Sequence, residues 1–220
     1  AYILHSPLHI LLKLWQLKKI LLLVHLPATM GVTFLGLLIS VVLGVFLSVI
    51  MDSNKNIENA LYPIIIASQT IPTTAIAPLF VLWFGYSIWS KVLVTILITF
   101  FPIAITVYDG LKSTKREMEE LLITYGANKK DIFIKLKFPT ALPYFFSAIK
   151  MAIPMSIIGA AIAEWLGAQS GLGYFSKRMM TQLDGAGVFA PVVLLSFVAM
   201  ISVAIINMIE KKLITWRKEI

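Results

Sequence analysis

Long apolar runs constrain the fold of this chain more than any other feature of its sequence. A helix needs about 20 mostly apolar residues to cross the hydrocarbon core of a bilayer. Stretches of this length and composition cover residues 31–51, 60–84, 88–107, 141–165 and 188–209. The sequence therefore predicts one all-α polytopic membrane domain over all 220 residues, with five spans in this chain.

The composition supports the membrane class and excludes several others. The chain is 59% hydrophobic and 14% charged, whereas soluble domains carry about 25% charged residues. That much apolar surface cannot be buried inside a soluble core of this length, so it must face lipid or other subunits. The chain has no cysteine, which excludes disulfides, thiolate catalysis and cysteine metal sites.

Basic residues indicate the orientation of the chain rather than a nucleic-acid partner. The net charge is +8, but Lys and Arg lie mostly between the apolar runs, where a positive-inside bias sets orientation. Segment 112–139 and the C-terminal tail carry more of them than the connections on the opposite side. We therefore predict a multi-pass protein of the cell membrane with this segment and its C-terminus in the cytoplasm and loop 166–187 outside.

The first 30 residues have a different pattern. Their polar residues among Leu and Ile include Lys13, Gln16, Lys18 and Lys19. This spacing favours an amphipathic helix in the membrane interface over a span, so residues 1–30 are predicted to be an interfacial segment. Because five crossings would leave this segment outside the cell, we expect a further span before it, and six in the complete subunit.

Segment 112–139 is polar and basic in an otherwise apolar chain, and its first half has the pattern of a short helix. Ser113 or Thr114 is placed to cap its start, with Glu117 at the capping-box distance from Thr114. Gly126 is placed to end it in a left-handed conformation. Apolar residues recur between these positions at helical spacing: Met118, Leu121, Leu122 and Tyr125.

The second half of the segment predicts another short helix, which begins at Asn128 or Asp131 and ends where Pro139 marks the return to the membrane. Its apolar residues are Ile132, Phe133, Leu136 and Phe138. One interpretation is a solvated loop that contributes only to the positive-inside bias. Because such a loop would rarely have two apolar helical faces, we favour a docking element for another protein on the cytoplasmic side.

The residues of this segment also resemble a known signature. The spacing Glu120-x5-Gly126-x9-Leu136-x2-Pro139 is similar to the cytoplasmic loop of binding-protein-dependent ABC importer permeases of type I, which has roughly the form E-A-A-x3-G-x9-I-x-L-P. Ala127 after the glycine is a common form in that family. The chain departs from the pattern, apolar for apolar, at Leu121, Leu122, Leu136 and Phe138.

Other stretches resemble the branch of this family that transports sulfonates, nitrate, taurine and thiamine-precursor pyrimidines. They are LPATMGVTFLGLLISVVLGVFLSVIM at 26–51, SQTIPTTAIAPLFVLWFG at 68–85 and AEWLGAQSGLGYF at 163–175. The likeness covers nearly the whole chain. It implies the transmembrane fold of a type I ABC importer and a role in the uptake of a small polar solute, either a sulfonate, a nitrate-like anion or a thiamine-precursor pyrimidine.

The resemblance also implies partners. Two permease subunits, expected here to be two copies of this chain, work with two cytoplasmic ATPase subunits and an external solute-binding protein. The loop would couple to the ATPase through Glu120, Gly126, Ala127 and Pro139. The chain contains no G-x4-G-K-[ST] phosphate-binding motif, so ATP and Mg²⁺ are expected on the ATPase subunit. No catalytic residue, metal ligand set or cofactor is predicted in this chain.

Three polar residues at membrane depth are candidates for the solute path. Gln69 and Thr70 lie in an apolar stretch interrupted by Pro72, and irregular backbone at this depth is tolerated where it lines a cavity; hydrogen bonding between helices is the alternative. Glu164 is a gate or path candidate, or an interfacial acid beside Trp165.

Two further patterns concern packing. Lys150 lies inside the fourth predicted span and is expected to reach the interface or a protein partner, with a role toward a substrate anion as a further alternative. Small residues recur every four positions in the first span and predict a close contact between helices: Gly36, Ser40, Gly44 and Ser48.

A second class of function stays open on the sequence alone. A self-sufficient ion-coupled secondary transporter or a channel would be expected to have paired ionisable residues near the middle of the membrane, and inverted repeats. The sequence offers only Glu164 and Lys150 for the first requirement and has no visible repeat. The importer permease is therefore the favoured hypothesis.

Overall fold

The computed structural model describes residues 6–216, and within that part of the chain all regular elements are helices. We number the α-helices α1 to α10 and the two π-helical turns π1 and π2. In chain order they are α1 Pro7–Ile20, π1 Leu21–His25, α2 Leu26–Ser53, α3 Lys55–Ser68, α4 Thr73–Phe84, α5 Ile88–Lys112, α6 Arg116–Thr124, α7 Lys129–Ile132, π2 Phe133–Lys137, α8 Phe138–Gly167, α9 Leu172–Thr181 and α10 Gly185–Leu213.

Four of the predicted spans correspond to unbroken helical runs that are long and apolar enough to cross a membrane. These runs are Pro7–Ser53, Ile88–Lys112, Lys129–Gly167 and Gly185–Leu213. α3 and α4 together make a fifth candidate when they are counted as one broken span. The predicted all-α polytopic fold is therefore confirmed, with four or five spans in this chain.

The span predicted over residues 60–84 is not one continuous helix. Helix α3 ends at Ser68, α4 begins at Thr73, and the chain bends by 94° at this break. Pro72 caps α4 in an extended conformation. Because proline has no N–H and disfavours helical backbone in the residue before it, Pro72 accounts for the position of the break.

The N-terminal helix does not stop where the predicted interfacial segment 1–30 would end. The run Pro7–Ser53 is continuous over 47 residues, or about 70 Å at 1.5 Å per residue. The hydrocarbon core is only about 30 Å thick, so part of this run must lie outside it. An interfacial position for the first residues stays a prediction, and residues 1–5 lie outside the described part.

The chain divides into two compact units. The first unit contains the chain up to Leu38 together with Ile71–Thr99 and Ile153–Ser202. The second unit contains Ile39–Thr70, Phe100–Ala152 and the chain from Val203 onward. In the first unit a buried cluster joins π1 to α9 and α10: Leu21, Leu172, Phe175, Met179 and Ala190.

The predicted stripe of small residues on α2 packs closely in both units. In the first unit, a Cβ on Gly36 would collide with the Thr95 side chain of α5. In the second unit, a Cβ on Gly44 would lie 2.8 Å from Ile103, and the Ser48 hydroxyl donates to the Ala104 carbonyl at 2.6 Å. The prediction of a close contact between helices is confirmed.

Candidate functional site

The basic segment, residues 112–139, begins differently from the prediction. Helix α6 begins at Arg116 after Lys115, which makes no side-chain cap. The two predicted caps bond instead to the end of α5: the Ser113 hydroxyl donates to the Gly110 carbonyl at 2.7 Å, and the Thr114 hydroxyl to the Leu111 carbonyl at 3.2 Å. The last carbonyls of α5 have no helical N–H partner. They therefore accept hydrogen bonds from these hydroxyls, which are then not used to cap α6.

The end of α6 agrees with the prediction. Gly126 has φ +84°, a left-handed conformation that glycine adopts without steric cost. The Ala127 N–H donates to the Leu122 carbonyl at 3.0 Å and the Gly126 N–H to the Ile123 carbonyl at 2.8 Å. This pair of bonds is the Schellman motif, which satisfies the carbonyls at the end of a helix.

The second predicted helix of the segment is the first part of a longer one. Asn128 caps it, and Asn128 and Asp131 form a reciprocal capping box. The prediction that Pro139 ends this helix is wrong, because α7, π2 and α8 form one run from Lys129 to Gly167. A proline ring clashes with the carbonyl four residues before it. For Pro139 that residue is Lys135, which lies in the π-helical turn Phe133–Lys137.

Helix α6 leaves apolar side chains exposed. Leu121 is 49% exposed and Tyr125 81% exposed. Glu120 lies on the same helix and is also exposed, with its carboxylate 2.8 Å from Arg116 Nε. Among the predicted coupling residues, Glu120 and Gly126 are exposed, whereas Ala127 and Pro139 are half-buried. Their coupling role stays a prediction.

An ion pair that the sequence did not indicate ties this segment to α2. Lys137 Nζ lies 3.1 Å from both carboxylate oxygens of Asp52, the penultimate residue of α2. Next to it is an open cavity of about 560 Å³, lined in part by Glu119 and Phe133. The sequence separation of 85 residues explains why no local pattern pointed to the pair.

Glu164, a candidate path residue, lies in the first unit and is only 1% exposed. Its Oε2 accepts a hydrogen bond from the Gly173 N–H at 2.8 Å. The two preceding N–H groups also have side-chain acceptors: Leu172 donates to Thr29 Oγ1 at 2.8 Å, and Gly171 to His25 Nδ1 at 3.1 Å. Three side chains thus satisfy N–H groups at the start of α9, which a helix leaves without internal partners.

We call His25, Thr29 and Glu164 the acceptor triad. Because His25 Nδ1 accepts a hydrogen bond, a neutral imidazole carries its proton on Nε2. A carboxylate is also favoured at a helix N-terminus by the helix dipole. The sequence indicated neither α9 nor His25, since both depend on contacts between distant parts of the chain. The triad gives Glu164 a structural task, and its predicted role in the path stays untested.

The other candidate path residues are in the second unit. Gln69 and Thr70 lie at the break after α3 and are exposed, and the Thr70 hydroxyl donates to the Ala67 carbonyl at 2.7 Å. Their role stays a prediction. Lys150 has a protein partner, which was one of its predicted alternatives, since its Nζ lies 2.7 Å from Glu210 Oε2.

A family comparison decides the class of this protein. The family described as "Binding-protein-dependent transport system inner membrane component" matches residues 40–215. The chain belongs to this family. It is therefore an ABC importer permease of type I, a multi-pass inner-membrane subunit, and the family implies ATPase and solute-binding partners.

Relatives place this permease in the predicted branch. It is 53% identical to the formylaminopyrimidine transport permease protein ThiX of Halalkalibacterium halodurans, over 99% of this chain and 87% of that protein. It is 31% identical to the riboflavin transport system permease protein RibX of Chloroflexus aurantiacus, over 98% and 81%. The putative aliphatic sulfonates transport permease protein SsuC of Bacillus subtilis is 29% identical, over 88% and 70%.

A solved structure supports the fold of this permease. The MetNI methionine ABC transporter in an inward-facing conformation is similar with a TM-score of 0.65 and 20% sequence identity. The likeness covers 96% of this chain and 98% of that chain. It agrees with the type I importer transmembrane fold that the sequence resemblance implied.

Proposed function

We propose that this permease moves a small pyrimidine of the formylaminopyrimidine class, a thiamine precursor, into the cytoplasm. The observation that carries the proposal is the 53% identity to a formylaminopyrimidine transport permease over 99% of the chain. Identity to the riboflavin and sulfonate permeases is 31% and 29%. Of the predicted solutes, we therefore favour the pyrimidine over a sulfonate or a nitrate-like anion.

Transport is driven, in this proposal, by a separate cytoplasmic ATPase subunit that contacts the basic segment. The support is the apolar surface of α6 and its C-cap residue, where Leu121 and Tyr125 are exposed. Apolar side chains grouped on an exposed helix are typical of an interaction surface. Glu120 and Gly126 are exposed there, Ala127 and Pro139 are half-buried in the same segment, and ATP and Mg²⁺ bind to the partner subunit.

The proposal also includes the orientation of the permease in the membrane and its remaining partners. The basic segment and the C-terminus lie in the cytoplasm, as the distribution of Lys and Arg predicts. A second copy of the chain completes the permease pair, and an external solute-binding protein delivers the pyrimidine. The absence of cysteine makes the orientation measurable, since a single introduced cysteine on the basic segment reacts only with reagents that reach its side of the membrane.

Reconstituted transport tests the function. The permease, its ATPase subunit and its binding protein are placed in proteoliposomes, and uptake of a formylaminopyrimidine is compared with uptake of taurine and riboflavin. We expect ATP-dependent, vanadate-sensitive uptake of the pyrimidine alone. Uptake of taurine or riboflavin instead would contradict the solute, and uptake that ignores both ATP and vanadate would favour an ion-coupled secondary transporter or a channel.

A further inference from the structure

Six charged side chains form a connected group in the second unit, which we call the Asp52 network; the outermost, Lys55, joins it through Glu58 at 2.6 Å. Lys137 Nζ contacts Asp52 at 3.1 Å and Glu119 Oε1 at 3.4 Å. Lys112 Nζ lies 3.1 Å from Glu58 Oε2 and 3.8 Å from Asp52 Oδ1. The network thus links the end of α2, the start of α3, the end of α5, helix α6 and the turn π2.

The Asp52–Lys137 pair is less exposed than the ion pairs of the basic segment that lie outside the network. The side chains of Asp52 and Lys137 are 5% and 17% exposed, whereas those of Arg116 and Glu120 are 88% and 60% exposed. Exposed pairs contribute little because water screens them. Removing one member of a partly buried pair such as Asp52–Lys137 leaves a poorly solvated charge without its partner and is more costly.

Lys137 is the member of this network that joins α6 to the end of α2. It lies in π2, at the point where the basic segment continues into the long helix α8. From there its ammonium group contacts both α6, through Glu119, and the last turn of α2, through Asp52. A displacement of α6 therefore either carries the end of α2 with it or breaks a partly buried ion pair.

We propose that Lys137, held between Asp52 and Glu119, is a positioning residue that makes α6 and the end of α2 move together during transport. The proposal rests on the coupling role assigned above to the basic segment and adds the side chains that transmit the movement. Without this link, an ATPase bound to α6 hydrolyses ATP but displaces the membrane helices less effectively. The expected defect is thus in solute moved per ATP hydrolysed.

The test uses the complete complex of permease, ATPase and binding protein in proteoliposomes. Lys137→Met and Asp52→Asn each remove one charge, Lys137→Arg keeps it, and Lys135→Gln is the matched control, since Lys135 pairs with Asp131 in the same segment but lies outside α6 and is 69% exposed. We expect the ratio of pyrimidine uptake to ATP hydrolysis to fall about ten-fold in the first two variants, a typical size for coupling between sites. In Lys137→Arg and in the control variant, the ratio of pyrimidine uptake to ATP hydrolysis stays unchanged.

The double variant Asp52→Asn with Lys137→Met removes both charges and keeps the test decisive. It leaves no uncompensated charge between these two positions, so it assembles even where a single variant does not, and its transport ratio still falls. An unchanged ratio in assembled variants overturns the proposal. So does loss of the ATPase subunit from both the single and the double variants, since the network would then serve assembly. Failure of the proposed function would give a different result from failure of this proposal, because the unsubstituted complex would then show no ATP-driven uptake.

Discussion

The end of α6 and the start of α9 resemble each other locally and differ in what surrounds them. Each has a glycine in a conformation that other residues rarely adopt, with φ +84° at Gly126 and +123° at Gly171. A Cβ added to Gly126 would meet nothing within 4 Å, whereas one added to Gly171 would collide with the Glu164 carboxylate. One turn is a free, exposed tip and the other is packed against the acceptor triad.

This difference separates two ways of using a helix end. At Gly126 the carbonyls at the end of α6 accept hydrogen bonds from the backbone itself, through the Schellman motif. No other part of the chain is needed there, so α6 keeps an exposed apolar surface for a partner. At Gly171 the backbone depends on side chains from distant parts of the chain, which hold α9 in place. We therefore expect substitutions at the first site to affect assembly and transport, and substitutions at the second to affect folding.

Gly171→Ala has the largest expected effect on stability. The alanine would combine an unfavourable φ with a collision against a buried carboxylate, and we expect a loss of more than about 4 kcal/mol in the free energy of unfolding. The measurement is the yield and thermal midpoint of the purified protein in detergent. A stable Gly171→Ala protein would contradict the packed geometry of this turn.

Thr29→Val comes next. Valine has nearly the shape of threonine but leaves the buried Leu172 N–H without its acceptor, which costs about 2 kcal/mol. The thermal midpoint should fall relative to the unsubstituted protein. Thr124→Val removes a hydroxyl from exposed α6 and serves as the control, since we expect it to leave the midpoint unchanged. Equal effects of the two substitutions would refute the role of the acceptor triad.

Gly126→Ala should be milder than Gly171→Ala, although both change the same residue type at a positive φ. Only the backbone cost of about 1 kcal/mol applies, because no atom obstructs the added methyl group. We expect a folded protein with a slightly lower thermal midpoint and reduced ATP-dependent uptake. If the two alanine variants lose the same stability, the contrast between the free and the packed turn is wrong.

Tyr125→Ala should have the smallest effect on folding, within about 0.5 kcal/mol, because its side chain is exposed. Its effect on assembly should nevertheless be clear, since an aromatic side chain is a frequent anchor of an interface. Co-purification of the ATPase subunit with the variant provides the measurement. Undiminished recovery of that subunit would argue that α6 does not form the contact.

The features that were predicted correctly are those that local sequence determines. The Gly126 turn follows from a glycine after an apolar helical pattern, and the contact made by the small stripe follows from spacing alone. The predicted cap at Ser113 or Thr114 was wrong because the end of α5 competes for both hydroxyls. Pro139 did not end a helix: it lies in α8, two residues after the end of π2.

The features that were missed depend on residues far apart in the chain. His25 and Gly171 are separated by 146 positions, and Asp52 and Lys137 by 85 positions. Nothing near a lone histidine or a lysine in a basic segment indicates such a partner. The burial of Glu164 against the start of α9 was likewise not predictable. The sequence does not indicate which of several polar side chains will accept hydrogen bonds from the N–H groups of α9.

The central claim is that the basic segment receives the ATPase subunit, and spin labelling tests it most directly. The chain has no cysteine, so Thr124→Cys gives a single nitroxide site on exposed α6, beside Tyr125. In proteoliposomes the account predicts a mobile spectrum for the permease alone and a strongly immobilised one when the ATPase subunit is added. A spectrum that stays mobile in an assembled, transporting complex would contradict the claim.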